Sequence, residues 1–186
     1  MEKSIRKLET EAHRHDRRNE TFYSGGEGCE LGRVFWLGGN ELYAHCRARP
    51  HYTPHWPHQH YAAVLVSQGR GFYHGADAQP LPVSPGDLLL MFPGIPFRYQ
   101  VDRNQHWQET FIAFRGPAFD VLRESGVLQP GRPVWHLSAD QDWKGRLRGL
   151  WHVDQPGSIT QLALIGRLLN FLRRQCRRWR NPIAQC

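Results

Sequence analysis

The stretch Ser84-Pro85-Gly86-Asp87-Leu88-Leu89-Leu90-Met91-Phe92-Pro93-Gly94-Ile95-Pro96-Phe97-Arg98-Tyr99 sets a short apolar run between proline-rich borders. Pro80, Pro82 and Pro85 punctuate the approach, and DLLLMF (87–92) is then continuous, short and apolar. A helix buried to that degree would need a longer periodic segment, so the run reads as a buried strand. PGIP (93–96) reads as a turn, and FRYQV (97–101) as the next strand.

Working outward, the same grammar repeats. RVFWL (33–37) and ELYAHCRA (41–48) are short segments bounded by Gly38-Gly39 and by Arg49-Pro50. YAAVLVSQ (61–68) is a strand that GRGFYHG (69–75) continues after a glycine bend. DRNQ (102–105) is a turn, and ETFIAF (109–114) completes the series. Six or seven short strands at close spacing within residues 33–116 predict a sandwich or barrel.

The flanks differ. Residues 1–20 are polar and basic and read as a surface helix or an arm, and FYSGGEGCELG (22–32) breaks any helix. From Phe119 the apolar period becomes helical. Ser138-x-x-Gln141 and Ser158-x-x-Gln161 have the form of capping boxes opening two helices. The first would place Trp143, Leu147, Leu150 and Trp151 on one face, and Asp154-Gln155-Pro156-Gly157 separates it from the second. In the second, Leu162, Ile165, Leu169, Leu172, Cys176 and Trp179 follow a 3-4-3-4-3 spacing, the pattern of a helix–helix seam. Leu164, Leu168 and Phe171 form a neighbouring stripe. The two stripes fit either a barrel plus a partner helix, or one wide face buried in the chain's own domain.

At 186 residues, with 40% hydrophobic, 12% aromatic and 22% charged residues, the composition suits one globular domain with a short appendage. A domain near this size buries roughly 70% of its unfolded surface, so no disulfide or metal is needed to fold it. Cys29, Cys46, Cys176 and Cys186 form no CxxC pair, as expected of a reduced, intracellular chain. No apolar run is long enough for a membrane span. The first twenty residues are too charged for a secretory signal, so a cytoplasmic protein is expected. The net charge is +7, and residues 167–180 hold six arginines and no acid. Such a run could touch phosphate. Without a recognition-helix motif it reads as a solvated helix face, whose cations favour the helix C-terminus.

The order of segments carries a resemblance. Gln68-Gly69-Arg70-Gly71 follows a strand and PGDLLL precedes another; then come FPGIPFRY, Trp107, and Phe111-Ile112-Ala113-Phe114-Arg115-Gly116-Pro117. This succession, over residues 38–179, resembles the N-terminal sensor domain of AraC-type transcription regulators. The resemblance implies a mainly β fold, a cupin (jelly-roll) barrel followed by a C-terminal α-helical pair. The barrel would span 21–118, the helical dimerisation segment 119–180, and an interdomain linker would start at 181–186. It further implies a small effector, often a sugar, and a homodimer built on the helices through Leu162, Ile165, Leu169 and Leu172. DNA would be bound only through a C-terminal domain that this chain lacks. No cofactor and no membrane partner are implied.

HYTPHWPHQH (51–60) raises a metal reading, since histidine is the commonest metal ligand. His58 and His60 share a strand face, but that face continues as Ala62, Val64 and Val66, with no carboxylate. Metal-binding cupins add a Glu and a further His, and the position for that His holds Phe97. Two histidines are too few for a zinc site, which takes three or four protein ligands. The rival reading is a small metal-dependent cupin enzyme using His55, His58 and His60, with His51 in the same loop. No GxSxG elbow, paired Cys and His, or phosphate-binding glycine loop supports catalysis. The expectation is therefore a non-enzyme.

Carried over by position, the resemblance implies effector contacts from Tyr99, Glu109 and Phe111 and, more loosely, Arg49; Trp107 and His60 join them as candidate ligand-binding residues. Alternation supports part of this, because Trp107, Glu109 and Phe111 share one face and Phe97 and Tyr99 another. Aromatic faces and a carboxylate that accepts hydrogen bonds suit a polyhydroxy ligand. An unpaired acid facing a core is costly, which makes Glu109 the sharpest candidate.

Overall fold

The computed structural model describes residues 17–24, 27–43, 59–75, 79–103, 105–137, 141–150 and 158–180. In chain order the strands are β1 (Arg17–Ser24), β2 (Arg33–Tyr43), β3 (Tyr61–Gln68), β4 (Gly71–His74), β5 (Leu81–Val83), β6 (Asp87–Met91), β7 (Arg98–Val101), β8 (His106–Arg115) and β9 (Val134–His136). The helices are α1 (Pro117–Glu124), α2 (Trp143–Gly149) and α3 (Ser158–Arg180). An antiparallel sheet ordered β1-β2-β8-β3-β6-β9 faces a smaller one ordered β5-β4-β7. The expected mainly β fold is present, with its helices mostly in the C-terminal part.

Two Pro-Gly pairs build the corners around the opening stretch. Ser84-Pro85-Gly86-Asp87 closes with the Asp87 amide donating to the Ser84 carbonyl at 3.1 Å. Gly86 takes φ 94°, as position three of a type II turn requires. Phe92-Pro93-Gly94-Ile95 repeats this with Gly94 at φ 72°. Between the turns every residue of β6 is buried. That follows because the six-stranded sheet is covered on both faces. Leu89 and Met91 join a cluster inside the barrel with Val64, Val66, Tyr73, Phe97, Tyr99, Val101 and Trp107. Leu88 and Leu90 join the opposite cluster with Ile112, Phe114, Trp143 and the apolar residues of α3.

The structure corrects several expectations. Residues 17–20, expected in a helix or arm, belong to β1, which pairs along β2 from Arg17–Leu42 to Ser24–Trp36 and includes Phe22–Ser24 of the expected breaker. RVFWL and the start of ELYAHCRA are one strand. Gly38 and Gly39 are held extended because β1 bonds them on one side and β8 on the other. GRGFYHG does not continue β3 but opens the second sheet as β4. β5 contains Pro82, tolerated because this strand is an edge. β9 interrupts the expected helical segment by adding to β6, with Val134 opposite Leu89. The barrel therefore recruits residues on both sides of the 21–118 boundary.

The side chain of Ser158, in the second expected capping box, lies outside the described residues, as does Ser138 in the first. The helix α2 is capped by Asp142, whose side chain accepts from the Gly145 amide. Gln161 reaches across to the sheet: its Oε1 accepts from the Val34 amide at 3.0 Å and its Nε2 donates to the Val34 carbonyl at 3.1 Å. Val34 lies past the last described β1 pairing, Ser24 with Trp36, and among the described residues its outward backbone groups have no strand partner on that side. Gln161→Leu would strand both in a fully buried place. A loss of about 2–4 kcal/mol in stability is expected, read from the urea midpoint.

The wide buried face of α3 is the chain's own. Leu164, Ile165, Leu168, Phe171, Leu172 and Cys176 are all buried in one cluster with the sheet. Ile165 and Leu172, expected to meet a partner helix, are 1% and 0% exposed, so they cannot form a seam in this packing. Leu162 is exposed and Leu169 half-buried, while the side chain of Trp179 lies outside the described residues.

Tyr61 ties β3 to α1, its hydroxyl donating to Asp120 Oδ1 at 2.7 Å. Burial and then the Asp120 carboxylate push its pKa from 10.0 up to about 12. Between pH 10 and 12 the folded state therefore keeps a proton that the unfolded state has lost, so stability falls as pH rises through that window. In Tyr61→Phe this component of the alkaline decline in urea midpoint should disappear.

Candidate functional site

Strand alternation turns Trp107, Glu109 and Phe111 of β8 toward the barrel interior, while Ile112 and Phe114 face the helices. Across the interior, Phe97 and β7 supply inward-facing Phe97, Tyr99 and Val101. Glu109 is only 4% exposed. A carboxylate in so apolar a place is tenable when donors meet it, and Tyr99 and Trp107 are among them. The Tyr99 hydroxyl donates to Oε1 at 2.9 Å, and Trp107 Nε1 donates to Oε2 at 2.7 Å. The Tyr99 and Trp107 rings stack with centroids 5.8 Å apart and planes 19° apart. The acid is thus fixed in one rotamer by two aromatic side chains that are fixed by each other.

The walls around it are apolar. Val64, Val66, Leu89, Met91, Phe97 and Val101 surround the group. The Tyr73 ring lies parallel to Phe97 at 6.2 Å. Burial pushes the Tyr73 hydroxyl well above the usual phenol range; it donates to the Leu90 carbonyl at 3.4 Å and is a neutral donor at any physiological pH. Chemically the interior offers one fixed carboxylate with acceptor capacity, flat aromatic faces and aliphatic walls. That set can orient a small molecule bearing hydroxyl or amine donors.

Tyr99, Trp107 and Glu109 come together, with Phe111 further along the same face. Sequence reasoning missed Trp36, which meets Phe111 edge-to-face at 4.8 Å and is 45% exposed. The register explains the miss: Val34 pairs with Phe114 but Trp36 pairs with Ala113, so Phe35 is an extra, bulged residue. A bulge reverses the alternation downstream. Val34 therefore faces the helices and Trp36 the barrel side, and RVFWL contains no signal for that reversal.

His60 is not part of this group. Val66 pairs with Glu109, and His60 lies six residues before it, roughly 20 Å along the strand. Its ring packs edge-on to Phe35 at 5.1 Å. Alternation fixes the face of a residue but not its distance along the strand. Arg49, His51, His55 and His58 lie outside the described residues. Among the described residues, no group of three or more His, Cys, Asp or Glu could hold a metal, and no helix is long and apolar enough to cross a membrane.

Several solved cupins resemble the chain at low identity. The cupin domain of Cnp3 from Schizosaccharomyces pombe is 9% identical, with 59% of this chain and 71% of that one covered and a TM-score of 0.43. A cupin-2 domain protein from Rhodospirillum rubrum is 17% identical, with 55% and 66% covered and a TM-score of 0.41. A cupin 2 domain-containing protein from Halorhodospira halophila is 18% identical, with 57% and 74% covered and a TM-score of 0.41. No curated protein matches the sequence. Residues 37–172 match the AraC-like ligand binding domain, a span that takes in β3 to β9 and most of α3. The chain belongs to the family of AraC-like ligand-binding domains.

Proposed function

We propose that the chain is the effector-sensing and dimerisation module of an AraC-type transcription regulator, working in the cytoplasm, and that its effector is a polyhydroxylated molecule such as a sugar. The observation that carries this reading is Glu109, a buried acid on the inner face of the barrel, held by Tyr99 and Trp107. Each carboxylate oxygen has more than one lone pair, so ligand hydroxyls can add to the donors already there while the rings stack on the sugar's C–H face.

Binding would favour one of two arrangements of the helices or the N-terminal segment, and so reposition a DNA-reading domain. Two copies would associate through the exposed edge of α3, where Leu162 and half-buried Leu169 lie seven residues apart. No reaction is assigned to the barrel.

A thermal-shift screen against sugars, sugar acids and divalent metals tests this. At a hundredfold excess over Kd, binding adds about 2.7 kcal/mol of stability, a rise of roughly 5–10 °C for a domain of this size. A sugar hit that Glu109→Ala removes supports the sensor. A hit with zinc, nickel or iron alone, removed by mutating His58 and His60, would replace it with the metal-dependent cupin.

A further inference from the structure

We propose that the end of the large sheet, where β8 passes into α1, forms a second small-molecule site that takes the oxyanion of an organic phosphate or carboxylic acid between Arg33 and Arg115. This goes beyond the barrel reading and does not depend on it. The two arginines face each other directly in the β2–β8 register. Like charges placed opposite each other across strands destabilise the pairing. Among the described residues, neither has a carboxylate within ion-pair distance. The Nε of Arg33 is buried without a hydrogen-bond partner.

The bulge at Phe35 sets the geometry. Its ring lies 5.8 Å from the Arg33 guanidinium carbon and 5.9 Å from that of Arg115. A guanidinium resting on a ring face is held in place while its edge N–H groups stay available, and that edge matches an oxyanion bidentately. One aromatic side chain therefore gathers two cations whose mutual repulsion an anion would relieve. The edge-on ring of His60 completes the cluster.

Beside the pair opens a cleft of about 520 Å³, bordered by Arg33, Arg115, Gln59 and Tyr61. This is the size of a small-molecule site rather than that of a bare ion. Asp120 and Glu30 also border it. Asp120 already accepts from Tyr61, and Glu30 is exposed at the rim. Both can accept from hydroxyl groups that a ligand carries behind its anion.

The experiment is calorimetric and thermal-shift titration of the whole chain with glycerol 3-phosphate, inorganic phosphate and succinate, each against sodium chloride at matched ionic strength. A rise in melting temperature beyond the chloride control is expected with at least one probe, and the phosphate and succinate arms assign the source of the oxyanion. Arg33→Gln and Arg115→Gln should each weaken that probe at least tenfold. Arg103→Gln, the same charge change at an exposed turn, should leave it unchanged. Arg115→Lys, which keeps the charge but loses the fork, should fall between. In the absence of probe, Arg115→Gln should melt no lower than wild type, because it removes a repulsion. The proposal is overturned by a wild-type response no larger than chloride's, by responses unchanged in both arginine variants, or by an equal loss in Arg103→Gln.

Discussion

Glu109→Gln is expected to fold, to lose about 1–3 kcal/mol of stability, and to bind the barrel effector roughly ten- to a hundredfold more weakly. The carboxylate accepts from Tyr99 on one oxygen and from Trp107 on the other. An amide has one oxygen, so one of the two donors would face the new NH2 group and be left unpaired in a buried place, at the cost stated. The ligand would lose a charge-assisted hydrogen bond, worth about 1.5–3 kcal/mol, which gives the affinity range. Glu109→Leu strands both donors and should lose about twice the stability. Urea melts read the first effect and calorimetry with the screened effector the second. Unchanged affinity in a destabilised Glu109→Gln would make the carboxylate a support for Tyr99 and Trp107 and no ligand contact.

The barrel was readable from sequence where a strand is buried on both faces or alternates cleanly. DLLLM, YAAVLV and the inward set Trp107, Glu109 and Phe111 are of these kinds, and the Pro-Gly corners delimit them. What stayed hidden depends on partners distant in sequence. β9 is three residues long and exists because β6 offers it an edge. β5 carries a proline that argues against a strand until its edge position is known. The bulge at Phe35 leaves no local mark, yet it decides that Trp36 faces the barrel side and that Phe35 meets Arg33 and Arg115. Gln161 was read as a local cap. It also bonds to Val34, 127 residues away, which no local pattern reveals. The site's central acid was legible because a lone carboxylate among inward-facing aromatics is unusual on chemical grounds alone. The position of His60 was not, since face and distance along a strand are separate facts.

The same distinction decides how the proposed dimer must be tested. Ile165→Glu would place a charge in the cluster that holds Leu164, Leu168 and Leu172. A buried, unpaired carboxylate costs several kcal/mol, a large part of the about 5–15 kcal/mol that stabilises a typical domain. Ile165→Glu is therefore expected to give an unfolded or aggregated chain, not a soluble monomer, as circular dichroism and urea melts would show. Leu162 is 51% exposed, and Leu169, half-buried, lies seven residues later along the same edge of α3. Leu162→Glu combined with Leu169→Glu should keep most of the wild-type helicity while shifting a dimeric wild type to monomer in sedimentation. A wild type that sediments as a monomer would remove the dimer from the proposal, and a double variant that stays dimeric would move the interface away from α3. A folded, monomeric Ile165→Glu would mean that α3 leaves the sheet when two copies meet, and that its heptad seam serves the dimer after all.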